Sequence, residues 1–158
     1  MKKLIVLLAV VLASATVASA QNYKNGVGLR LGYGVTFDYK WNFSEVNSWE
    51  FNLSVPAFSG FMGSASYQWN WPLGEGGLGG EGFNAYVGPA AGVGFWTAPG
   101  VGGTMLGFGA HGGIEYKLNA PIAVGIDLKP MITYIAGDYS AILNSGLYDI
   151  ALVARYTF

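Results

Sequence analysis

The sequence predicts an all-β fold: an eight-stranded antiparallel transmembrane β-barrel with a filled polar lumen. Three observations lead there. Apolar and polar residues alternate with period two along most of the chain, which is the side-chain period of a strand. Glycine and aromatic residues are abundant while charge is scarce, and beyond the first twenty residues no apolar run approaches the length of a membrane-crossing helix. The few charged residues fall almost entirely on one face of the alternation.

The chain opens with Lys2 and Lys3, continues in an apolar run from Leu4 to Ala13, and reaches Ala18-Ser19-Ala20. A short apolar core between basic and small residues is the pattern of a secretory signal peptide, and the run is too short for a spanning anchor. Residues 1–20 are therefore expected to be removed near Ala20. Residues 21–158 then form one domain. There are no cysteines, which excludes thiolate catalysis and cysteine-ligated metals. Setting Lys2 and Lys3 aside leaves six basic against nine acidic residues, so no basic field for nucleic acid exists.

The strands can be taken in order. Val27, Leu29, Leu31, Tyr33, Val35, Phe37 and Tyr39 alternate with Gly28, Arg30, Gly32, Gly34, Thr36, Asp38 and Lys40. This run is long enough for two strands, and a bacterial single-chain barrel needs an even number. A three-residue turn at Gly32-Tyr33-Gly34, with glycine in the left-handed conformation, splits it and pairs Leu31 with Val35. The remaining segments give eight strands at about 23–31, 35–41, 49–56, 61–71, 83–95, 104–117, 121–134 and 146–158.

With both termini in the periplasm, Tyr39, Trp41, Trp49, Trp69, Trp71, Phe83, Tyr116, Tyr156 and Phe158 gather at one rim. Phe61, Phe95, Phe108, Tyr134 and Tyr148 lie near the other, making two aromatic girdles. The same parity points Arg30, Lys40, Lys117, Lys129 and Arg155 inward with Asp38, Glu50, Glu115, Asp127 and Asp149. A charge facing lipid at mid-bilayer costs ~2–4 kcal/mol, so one-sided segregation is required of a membrane barrel. A water-soluble lipocalin-like barrel would carry the opposite polarity. Two features sit badly with the scheme. Pro89 falls inside the fifth strand and calls for a bulge, whereas Pro56 and Pro130 are near strand ends. The glycine-rich connection 72–84 is long for the periplasmic side.

The ending Arg155-Tyr156-Thr157-Phe158 resembles the signal by which the insertion machinery recognises outer-membrane barrels. Together with Gly28-Leu29-Arg30-Leu31-Gly32-Tyr33, Glu115-Tyr116-Lys117-Leu118 and Ile126-Asp127-Leu128-Lys129-Pro130, it is similar to small Gram-negative outer-membrane β-barrels of the OmpX and OmpA transmembrane type. The resemblance implies an integral outer-membrane location, contact with outer-membrane lipid, and assembly through Phe158. It implies no particular activity, because such families include enzymes, adhesins, pores and proteins without known activity.

Among side chains capable of chemistry, His111 is the only histidine, and it faces inward with Glu115. A hydrolase would need it beside a serine, for which Ser54, Ser64 and Ser66 are candidates on the same inward side. An enzyme acting on lipid would need that serine at the wall or rim. No spacing identifies a metal site around His111, Glu115 and Asp127, and the glycine-rich stretches lack the ending of a phosphate-binding loop. No catalytic, cofactor or metal residue is expected. Arg30, Asp38, Lys40, Glu50, His111, Glu115, Lys117, Asp127, Lys129, Asp149 and Arg155 are expected to form a structural network that fills the lumen. The functional expectation is a structural or surface-interaction protein presenting loops around Phe58, Gly100 and Tyr139. A narrow channel or small-ligand carrier, and a lipid-modifying enzyme, are the alternatives.

Overall fold

The computed structural model describes residues 23–56, 60–74, 82–138, 140–144 and 149–158. The expected signal peptide, Phe58, Tyr139 and Tyr148 lie outside these. Ten strands are present: β1 (Asn25–Leu31), β2 (Gly34–Asn42), β3 (Asn47–Pro56), β4 (Gly60–Pro72), β5 (Phe83–Ala98), β6 (Val101–Lys117), β7 (Ile122–Leu128), β8 (Met131–Gly137), β9 (Ala141–Asn144) and β10 (Ile150–Thr157). They form eight staves, because β7 and β8 both pair with β6 and continue one another, and β9 and β10 pair with β8 and β7 in turn. All pairings are antiparallel, and β1 closes on β10. The result is a closed eight-stranded antiparallel barrel.

The registers fix the barrel's geometry. Ile122 pairs in succession round the wall to Tyr156, Val27, Tyr39, Phe51, Ala65, Ala91 and Phe108, and the path returns to its own stave at Ile132, ten residues further on. A stagger of that size over eight staves tilts the strands by about 40°. Every residue on this path faces outward, as alternation requires.

Two local expectations change. Leu31 does pair with Val35 across the first turn, but the left-handed glycines are Gly60, Gly82, Gly100 and Gly137, none of them in that turn. Gly32 is needed for another reason: a Cβ there would run into Ile150 O and Ala151 on the neighbouring stave. The bulge expected at Pro89 is absent. The β4 ladder lapses opposite Gly88 and Pro89 and resumes in the same register, while Pro89 stays paired with Ala110 on β6. A lapse suffices because only the donor facing β4 is missing.

The extra residues sit elsewhere. From Leu128 to Ile132 the seventh stave advances four residues, while their partners on the last stave, Ile150 and Asn144, are six apart. The last stave thus carries two residues in excess opposite Pro130. An even excess preserves the inward and outward parity on both sides of the break.

At this tilt each residue adds about 2.5 Å of height. The strand ends near the termini lie level, and the aromatic residues expected at that rim are there. The opposite rim is slanted: β1 turns at roughly 16 Å, whereas the β5–β6 hairpin reaches roughly 40 Å. The hairpin closes on Pro99-Gly100, with Gly100 at φ 78° as the third residue of a type II turn demands. The 72–84 connection leaves from the level rim, as expected, and remains long.

Polarity divides by face. Leu152, Phe95 and Phe108 are more than 60% exposed on the outside, while Asp38, Lys40, Glu50 and His111 are fully buried inside.

Candidate functional site: a charge network across the lumen

The lower lumen is crossed by one connected set of ion pairs and hydrogen bonds. Arg155, on β10, is its hub. Its Nε donates to Asp38 on β2, its Nη1 to Glu115 on β6 at 2.9 Å, and its Nη2 to Glu50 on β3 at 2.8 Å. Five donors in a planar fork let one arginine bridge three staves. Space for it comes from Gly28, where a Cβ would strike the Arg155 side chain and Asp38. Lys40 donates to Glu115 at 3.0 Å, and Tyr23 donates to the same carboxylate. Arg30 donates to Asp127 at 2.7 Å and to Asp149 at 2.8 Å. Lys129 crosses to Asn52 on β3 and approaches Ser64 at 3.4 Å.

Ten of the eleven residues expected in the lumen join this network; Lys117 does not. Its ammonium turns to Leu118 O and Ala120 O, so it closes the β6–β7 turn at the level rim. Its inward parity holds, but at the strand end a four-carbon stem reaches backbone carbonyls sooner than a lumen carboxylate. The network then contains Arg30, Lys40, Lys129 and Arg155 against Asp38, Glu50, Glu115, Asp127 and Asp149.

His111 takes partners that alternation alone did not reveal. Glu115, its neighbour on the same face, belongs to Lys40 and Arg155 instead. The His111 ring is held by Asp127 at 3.0 Å from Nε2, and by Ser66 Oγ at 3.0 Å and Gln68 Nε2 at 3.2 Å from Nδ1. Gln68 accepts from Ser48 through Oε1, which leaves its amide nitrogen to donate to Glu50 and His111. Nδ1 is therefore an acceptor, and the proton sits on Nε2 facing Asp127. Sequence parity placed Ser66 and His111 in one lumen. The shear of the barrel brings them together.

Serine, histidine and aspartate in this order have the connectivity of a nucleophilic triad. Position argues against that use. Ser66 is 1% exposed and His111 fully buried, in mid-lumen, away from the rim where a lipid would present a scissile bond. Ser66 also shares the accepting nitrogen with Gln68. Glu50, His111 and Asp127 each offer a ligand atom within 4.8 Å of the others, the one grouping of metal-ligating type found among the described residues. Arg155 and Arg30 already supply the positive charge those carboxylates need.

No family, curated protein or solved structure matches this chain.

Removing one member of a buried pair strands the other and costs about 3–5 kcal/mol. Arg155→Ala should therefore lower the melting temperature of the folded protein far more than Glu45→Ala, which alters an exposed residue. A heat-dependent gel-mobility series of both variants in one detergent measures the difference. Equal melting would mean that Arg155 is hydrated rather than enclosed.

Proposed function

We propose that this protein is an integral outer-membrane β-barrel with a structural or surface-interaction role and no catalysis. The observation that carries the reading is the inverted polarity: an apolar outer wall around a charged interior. In water that arrangement exposes the wrong face; in a bilayer it is required. The aromatic belt of the level rim supports the same placement, with Tyr39, Trp49, Phe51, Tyr67 and Trp69 in mutual contact. So does Phe158, half exposed at the same rim. The resemblance to the OmpX and OmpA type belongs to this proposal, as does export through residues 1–20.

The ion pairs bear on the choice between a plugged barrel and a channel. Arg155 alone reaches three other staves, and an eight-stranded lumen is only wide enough for side chains. This favours a plug. A hydrolase is the second reading, on the strength of Ser66, His111 and Asp127. An active-serine phosphonate probe should leave the folded protein unlabelled, and labelling that disappears in Ser66→Ala would favour the hydrolase.

Location is tested by fractionation. The protein should sediment with outer membranes and migrate differently on gels before and after boiling, and deleting Phe158 should impair assembly. Recovery as a soluble periplasmic monomer would end the membrane reading. In planar bilayers the purified protein should give no stable open-channel current; a large reproducible conductance would promote the channel.

A further inference from the structure

The charge network ends at Lys129 and, on the neighbouring stave, at Asp149. Above them, the described inward positions of β4, β5, β6, β8 and β9 carry no charge, and the lumen is lined instead by Met62, Trp96, Met105, Met131, Thr133 and Ile135 with glycines between them. Met62, Met105 and Met131 are the only methionines of the chain after Met1. Gly107 faces the tips of two of them: a Cβ there would touch the terminal methyls of both Met62 and Met131. Flexible thioethers opposite glycine form a surface that can repack around a guest.

The slanted rim opens this layer sideways. β1 turns at Leu31, so among the described residues no strand continues the wall above it and β9 pairs with β8 alone. By the strand registers, Met62 and Met131 lie at roughly 22 Å, above the height at which β1 ends. The low edge of this notch carries Leu31 and Tyr33, both more than half exposed and continuous with the apolar outer wall. An outward apolar band is about 25 Å tall, so the notch falls within it.

A third observation points to a ligand. Trp96 lies at roughly 30 Å on the inner face of the tall wall. Its Nε1 is buried and has no acceptor. A buried indole donor ordinarily finds one. That height is the upper edge of a ~30 Å hydrocarbon core, where lipid ester carbonyls lie.

We propose that an acyl chain of a bilayer lipid enters the upper lumen through the notch above β1 and β2, its ester carbonyl accepting from Trp96 Nε1. The proposal rests on the membrane placement. The occupant follows from three features together: a mainly apolar lining above the last ion pair, an opening within the apolar band, and one buried donor without an acceptor at carbonyl height.

The test uses a protein in which Trp96 is the only tryptophan, the other four being changed to Phe, reconstituted in phosphatidylcholine with dibrominated chains. A second protein keeps only Trp69, which is exposed on the outer wall. Both should lose most of their emission relative to unbrominated lipid. Filling the lumen with Gly107→Leu, or with Thr133→Leu if the first fails to fold, should restore emission from Trp96 and leave Trp69 quenched. Quenching of Trp69 without Trp96, or Trp96 quenching indifferent to both filled variants, would overturn the lumen site while leaving the membrane placement standing. Failure to quench either tryptophan would overturn both. Quenching of Trp96 by a brominated free fatty acid but not by the brominated lipid would assign the site to the free acid, against the proposal.

Discussion

Everything in this fold depends on burying charge inside a closed sheet. Arg155 cannot be enclosed alone: an unpaired ion in a low-dielectric interior is among the largest penalties a fold can incur. Asp38, Glu50 and Glu115 meet it from three separate staves, so the pairs exist only when β1 has closed on β10 and the shear is correct. Closure and network are consequently one event. A register slip by one residue in any of these staves would turn its charge to the outer wall. The ion pairs act less as a source of stability than as a specification of which barrel is formed.

Room for the network is set by glycine. Gly28 stands where any side chain would collide with Arg155, and Gly113 where one would meet Asp127 and the Tyr86 hydroxyl. Long charged side chains on some staves are matched by missing ones on others, which is how the lower part of an eight-stranded lumen accommodates them. His111, Ser66 and Gln68 fit into the same scheme. Their hydrogen bonds join the Glu50 side of the network to Asp127, and a histidine with both nitrogens engaged is a structural tie before it is a base.

Much of this was legible in the sequence because alternation is a local property. The eight staves, the Leu31 to Val35 pairing and the inward set from Arg30 to Arg155 follow from period two and the parity of strand number. What alternation does not contain is stagger. Whether His111 meets Glu115 or Asp127 depends on how far successive staves are displaced, and that displacement accumulates round the barrel to ten residues. Lys117 escaped for a related reason: inward parity at a strand end does not oblige a flexible stem to stay in the lumen. At Pro89 the usual remedy for proline in a strand proved unnecessary, since one missing donor interrupts one ladder without adding a residue.

The slanted rim comes from the same stagger acting on strands of unequal length. A level upper rim would need β1 and β2 to extend as far as β5 and β6, yet the turn at Gly32 comes after only seven residues of β1, against sixteen in β5. The short side exposes the interior close to the height at which charge gives way to thioethers, Asp149 being the last carboxylate below them. Those two facts are coupled. Had the ion network continued past Met62 and Met131, the notch would have opened more buried charge to the outside. The change from carboxylates and guanidinium groups to thioethers above Lys129 and Asp149 avoids that, so the height of the network and the height of the short wall are set against each other.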